Sequence, residues 1–115
     1  MKKIEAIVRH FKLEDVKSAI TEVGIHGMTV TEVRGFGRQK GKSERYRGRE
    51  FSVNLTRKVQ LQIAVNDEFV EPTLNAIIQG GRSGDQGEIG DGKIFVLPMD
   101  ECVRIRTGER GPEAI

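Results

Sequence analysis

Long apolar runs are missing from this 115-residue chain. No stretch approaches the ~20 residues that a membrane-spanning helix needs. The opening MKKIEAIVRHF has lysines but no apolar segment of the kind a secretory signal carries. Cysteine occurs once, at Cys102, so an internal disulfide is excluded and the thiol reads as a small core hydrophobe. A cytoplasmic setting is the expectation. Histidine is scarce too. His10 falls at a strand-to-helix junction and His26 in a turn, and neither belongs to a nucleophile–base–acid set. The chain is therefore not read as an enzyme. No internal repeat, low-complexity tract or second domain is visible. A chain of this length suits one small domain with a modest core, for which self-association would be an advantage.

Charge and glycine are plentiful, and both are unevenly placed. The net charge is +2, yet Arg34 to Lys58 holds nine Lys or Arg against Glu44 and Glu50, leaving the remainder at −5. Such a basic segment stays solvated and available to an anionic partner. From Gly35 to Asn54 it shows little apolar periodicity and reads as a long loop, which inside a small domain is seldom filler.

Regular patterning flanks that loop. Lys3–Arg9 alternates Ile4, Ala6 and Val8 as a strand does, and Leu13–Val23 places Val16, Ala19, Ile20 and Val23 at helical spacing before Gly24. Met28–Val33 alternates again, and Lys58–Val65 sends Val59, Leu61, Ile63 and Val65 to one face. Glu68–Gln79 is an amphipathic helix whose first turn accommodates Pro72, and Ile94–Leu97 is a last strand. The tail CVRIRTGERGPEAI reads as extended, with Arg104 and Arg106 on one side. The order β-α-β-(loop)-β-α-β predicts an α+β, ferredoxin-like fold: a four-stranded antiparallel sheet with two helices on one face.

The stretch GGRSGDQGEIGDGKIFVLP, Gly80 to Pro98, joins the second helix to the last strand through six glycines and ends its loop in Gly-Lys. Gly87–Lys93 fits G-x-x-x-x-G-K, the start of a Walker A loop. However, Ile94 stands where the magnesium-binding hydroxyl should be, and a strand follows where a helix should open. The stretch reads as a phosphate cradle of another kind, with backbone amides facing an anion and Lys93 adding charge.

Four blocks in order, GFGRQKG at Gly35–Gly41, ERYRG at Glu44–Gly48, EIGDGKIFV at Glu88–Val96 and RIRTGERG at Arg104–Gly111, closely resemble the PII family of nitrogen signal-transduction proteins. The resemblance covers nearly the whole chain. It implies a homotrimer whose three inter-subunit clefts bind ATP or ADP in competition. Residues 37–55 correspond to the family's T-loop, 82–92 to its B-loop, and 102–115 to a C-terminal segment that includes the C-loop of a neighbouring subunit. By position, Gly90, Asp91, Gly92 and Lys93 match the phosphate-holding residues, with Gly35, Gly37 and Arg38 beside them. Arg104 and Arg106 match the arginines that close the cleft, and Thr29, Gln62 and Ala64 the adenine site. With MgATP bound, the resemblance implies uptake of 2-oxoglutarate by Arg9, Gln39, Lys40, Gly41, Lys58 and Gly90, with the Gln39 amide oxygen on Mg²⁺. Partners would be gripped through the T-loop, among them a membrane ammonium channel or nitrogen-metabolism enzymes. Neither direct nucleic-acid binding nor membrane insertion is implied.

Several positions depart from the family pattern. Phe51 stands where uridylylated relatives carry Tyr, and Arg49 where phosphorylated ones carry Ser, so neither modification has its acceptor oxygen. Gln62 replaces a common Glu, His10 a common Pro, and the B-loop is about three residues longer than usual. Two other readings stay open: an adenylate-only sensor without a 2-oxoglutarate response, and a nucleic-acid-binding module using the basic 34–58 loop with Tyr46 and Phe51 for stacking.

Overall fold

A computed structural model describes residues 1–37, 43–46, 49–52 and 55–115. Strand β1 (Lys2–Arg9) leads through a short 3-10 turn into helix α1 (Leu13–Glu22), which returns to strand β2 (Thr29–Gly35). Strands β3 (Ser43–Tyr46) and β4 (Arg49–Ser52) precede β5 (Thr56–Val65). Helix α2 (Val70–Gly81) and strand β6 (Gly92–Pro98) complete the regular elements. Strands β2, β5, β1 and β6 form one antiparallel sheet in that order, the expected ferredoxin-like arrangement.

Period-two alternation decides what each sheet face holds. Ile4, Ala6 and Val8 of β1, with Val59, Leu61, Ile63 and Val65 of β5, are buried beneath the helices. Val16 and Ile20 of α1, with Ala76 and Ile77 of α2, close the core from above. Each buried Leu, Ile or Val side chain contributes about 1.5–3 kcal/mol by leaving water. The other face, which carries Ile7, Arg9, Lys58, Gln62 and Lys93, is covered by no helix among the described residues. Arg9, Lys58, Gln62 and Lys93, expected to contact ligands, lie there.

Three expectations are corrected. The Gly35–Asn54 stretch is not all loop: β3 and β4 pair within it, Ser43 opposite Ser52 and Tyr46 opposite Arg49. A two-stranded ribbon needs backbone partners rather than a buried apolar face, so apolar periodicity does not reveal it. Gly80 and Gly81 belong to the last turn of α2 and not to the glycine loop. A Cβ on Gly80 would sit 2.8 Å from Val16 Cα and 2.9 Å from the Asp15 carbonyl oxygen, so glycine lets α2 cross close to α1. The tail folds back on itself rather than extending. Val103 pairs with Arg110, and the Gly108 amide donates to the Arg104 carbonyl across a turn that leaves Ile105 fully exposed.

Candidate functional site

Residues Arg82 to Asp91 close into a ring around one carboxylate. Asp91 Oδ2 accepts from the Ser83 and Glu88 amides, each at 2.9 Å, and Oδ1 accepts from Ser83 Oγ at 2.6 Å. Arg9 reaches up from β1, donating Nε to Asp91 Oδ1 at 3.0 Å and an Nη to the Ile89 carbonyl at 3.1 Å. Glu88 lies 3.7 Å from the same guanidinium. Burial alone would push the Asp91 carboxyl up, but the Ser83 and Glu88 donors and Arg9 outweigh it and hold it well below the usual carboxylate range.

Lys58 of β5 supplies the second anchor, donating Nζ to the Gly90 carbonyl. Its ammonium is held below the usual lysine value, chiefly by burial and then by repulsion from Arg9, with Asp91 partly offsetting both. Two cations from neighbouring strands, Arg9 opposite Lys58 in register, thus tie the loop to the open sheet face. The loop's exit is fixed by Gly92, whose φ is +113°. A Cβ there would fall 1.7 Å from the Ile7 carbonyl oxygen, so only glycine lets β6 start its pairing with β1.

Two clefts lie on this face. The first, about 760 Å³, is lined by Gly35, Phe36 and Gly37 at the end of β2, by Thr56 and Lys58 of β5, and by Ile89, Gly90, Gly92 and Lys93. Ile7 and Phe95 form its apolar floor. The second, about 510 Å³, holds Thr29, Gln62 and Ala64, with His26, Gly27, Met28, Asn66 and Phe69 beside them. Cys102, Ala114 and Ile115 close it from the C-terminal segment. The clefts share no lining residue.

The predicted ligand residues therefore divide into two groups. Gly35, Gly37, Lys58, Gly90, Gly92 and Lys93 meet in the first cleft, and Thr29, Gln62 and Ala64 in the second. Arg9 and Asp91 stand behind the first cleft, bonded to one another. The Asp91 amide donates to the Glu88 carbonyl at 3.1 Å, so both its amide and its carboxylate hold the loop. Arg38, Gln39, Lys40 and Gly41 lie outside the described residues.

Arg104 and Arg106 sit at the far end of the sheet from the glycine loop. Gly92 pairs with Val8 at one end of β6 and Pro98 with Lys2 at the other, a span of about 20 Å. Arg104 donates to Glu109 Oε1 at 2.7 Å and to the Glu113 carbonyl at 3.0 Å, which fixes the tail beside the second cleft. Arg106 is exposed at its turn. One chain does not bring its arginine turn to its own glycine loop.

Sequence reasoning passed over Ser83 and Glu88, which shape the loop, and the apolar floor of the first cleft. Ile7 was legible: with Ile4, Ala6 and Val8 inward, an isoleucine at position 7 falls on the opposite face. Phe36 and Phe95 are 75% and 49% exposed and line the cleft.

Comparison with known proteins bears on the family and the fold. The family model for Nitrogen regulatory protein P-II matches residues 1–109. The Nitrogen regulatory protein P-II of Azospirillum brasilense is 56% identical over 115 residues, and that of Nostoc punctiforme 54%, each alignment covering all of both chains. Among solved structures, that of Arabidopsis thaliana PII bound to citrate superposes with a TM-score of 0.79 at 45% identity, covering 99% of this chain and 91% of that one. The chain belongs to the P-II family of nitrogen regulatory proteins.

Proposed function

We infer that this protein is a homotrimeric sensor that binds ATP or ADP, takes up 2-oxoglutarate when MgATP is bound, and signals to nitrogen-metabolism partners through residues 37–55. The observation that carries the reading is the divided site. A phosphate-type half, with glycine amides, Lys58 and Lys93, lies at one end of the open face. A neutral half suited to a base lies at the other, beside Arg104 and Arg106. Neighbouring copies that set one chain's glycine loop against the next chain's arginine turn would join the halves around one nucleotide. Fixed cations and backbone amides then compensate the polyphosphate.

Among the described residues no group of three His, Cys, Asp or Glu could hold a metal. Magnesium fits as a partner of the nucleotide's own phosphates with the Gln39 amide, where it supplies the positive charge that a 2-oxoacid can chelate. Lys58, largely buried and cationic, suits a carboxylate of that ligand, and the solved Arabidopsis relative holds citrate, a small polycarboxylate. Arg9 acts through the loop it grips. Phe51 offers no hydroxyl to a uridylyl group, so the sensor works without uridylylation at that position.

Calorimetric titration of 2-oxoglutarate with Mg²⁺ and ATP, with Mg²⁺ and ADP, or without nucleotide tests this. Binding only with MgATP is expected. ATP binding with no 2-oxoglutarate response would leave an adenylate-only sensor. Absence of any nucleotide binding would refute the reading and bring the basic-segment binder forward.

A further inference from the structure

The second cleft has no aspartate or glutamate among its lining residues. Its apolar wall is Met28 and Phe69, both packed against the core. The Asn66 amide is tied down, donating Nδ2 to the Pro112 carbonyl at 3.2 Å. His26 remains, with Thr29 and Gln62, which stand directly opposite in the β2–β5 register. None of these three side chains hydrogen-bonds another described residue. The polar edge offered to a flat ligand is thus an imidazole, a hydroxyl and a primary amide, and the last two each both donate and accept.

This character matters for base selection. The edge of adenine presents an amino donor next to a ring acceptor. The edge of a 6-oxopurine presents a carbonyl acceptor next to a ring N–H donor, the reverse order. A carboxylate at position 62 could only accept, so it would favour the amino group and repel the carbonyl oxygen. An amide meets either edge by turning over about its last torsion, which exchanges its oxygen and nitrogen. Discrimination between ligands needs a group that penalises the wrong one. The described lining of this cleft contains no carboxylate to do so.

We propose that Gln62 makes this half-site accept 6-oxopurine nucleotides, those of hypoxanthine or guanine, alongside adenine nucleotides. The inference rests on reading the second cleft as the base half of the nucleotide site.

The test is calorimetric titration of the full-length protein with MgATP and with MgITP, whose base differs from adenine only along that edge. In the wild-type protein the two dissociation constants should agree within about tenfold. In Gln62→Glu, the ratio of ITP to ATP dissociation constants should rise at least about tenfold over wild type. A wild-type preference for ATP of more than tenfold overturns the proposal while leaving the nucleotide site intact. An unchanged ratio in Gln62→Glu, with both nucleotides binding, removes Gln62 from the role and overturns it equally. If neither nucleotide binds the wild-type protein, the reading of the cleft fails, and the proposal with it.

Discussion

Replacing Asp91 with alanine should release the 82–92 loop without unfolding the sheet. The carboxylate accepts four hydrogen bonds, from the Ser83 amide and hydroxyl, the Glu88 amide and Arg9 Nε. Bonds to a charged acceptor contribute about 1.5–3 kcal/mol each in mutational series. Four that share one acceptor do not add in full, so the loop should lose about 2–4 kcal/mol of local stability. None of the four donors is a core residue, so the core retains its packing. Hydrogen exchange read residue by residue separates local from global loss. The Ser83, Glu88 and Asp91 amides should exchange about 30- to 700-fold faster in Asp91→Ala, while those of Leu61 and Ile63 keep their rates. Wild-type rates at all three loop amides would refute the ring as the source of loop order. Acidity supplies a second reading of the same bonds. The folded-state carboxyl lies below its unfolded value, so its contribution is complete above about pH 4 and is lost as pH falls below that toward the depressed value. Loop exchange, corrected for intrinsic rates, should therefore be flat from neutral pH to about pH 5 and rise below about pH 4.

Other substitutions test the packing directly. Gly92→Ala places a Cβ 1.7 Å from the Ile7 carbonyl oxygen and should cost more than about 3 kcal/mol in chemical denaturation, by breaking the start of the β1–β6 pairing. Thr73 is fully buried and its hydroxyl has no hydrogen-bond partner among the described residues. Thr73→Val keeps the shape and removes the unmet group, so the melting point should rise, by about 1–2 kcal/mol of added stability. The ion pair of Arg57 with Glu32, 3.2 Å apart on exposed side chains, should count for little: Glu32→Gln should shift stability by less than about 0.5 kcal/mol.

The strands and helices of the core were legible because burial forces a period on the sequence. Ile4, Ala6 and Val8, and Val59 through Val65, alternate because one sheet face meets the helices and the other does not. The same alternation puts Lys58, Gln62 and Ala64, which the family resemblance had picked out, on the face opposite the core. Elements stabilised mainly by backbone pairing or close approach left weaker marks. The β3–β4 ribbon imposes no such period. Gly80 was misread as loop because a glycine that admits a neighbouring helix looks the same in sequence as one that turns a chain. Asp91 was matched to phosphate by the family resemblance; its bonds to Ser83, eight residues earlier, place it also at the loop's centre. Such pairings across a loop have no fixed spacing.

The placement of the first cleft also bears on how occupancy could reach a partner. Gly35 pairs with Thr56 at the ends of β2 and β5, and these strand ends are the two roots of the 37–55 segment. Gly35, Phe36, Gly37 and Thr56 all line the cleft. A ligand seated there touches both roots together with Gly90 on the glycine loop. It needs no long pathway through the core to favour one arrangement of the segment over another. It needs only to contact the roots differently in the two arrangements, and a difference of about 1.4 kcal/mol already changes their ratio tenfold. Under the proposed function, ATP and ADP would differ at the phosphate end, which these roots would enclose, so the chemistry separating the two nucleotides would lie where the segment begins. By linkage, a partner that grips one arrangement must tighten the binding of the nucleotide that favours it.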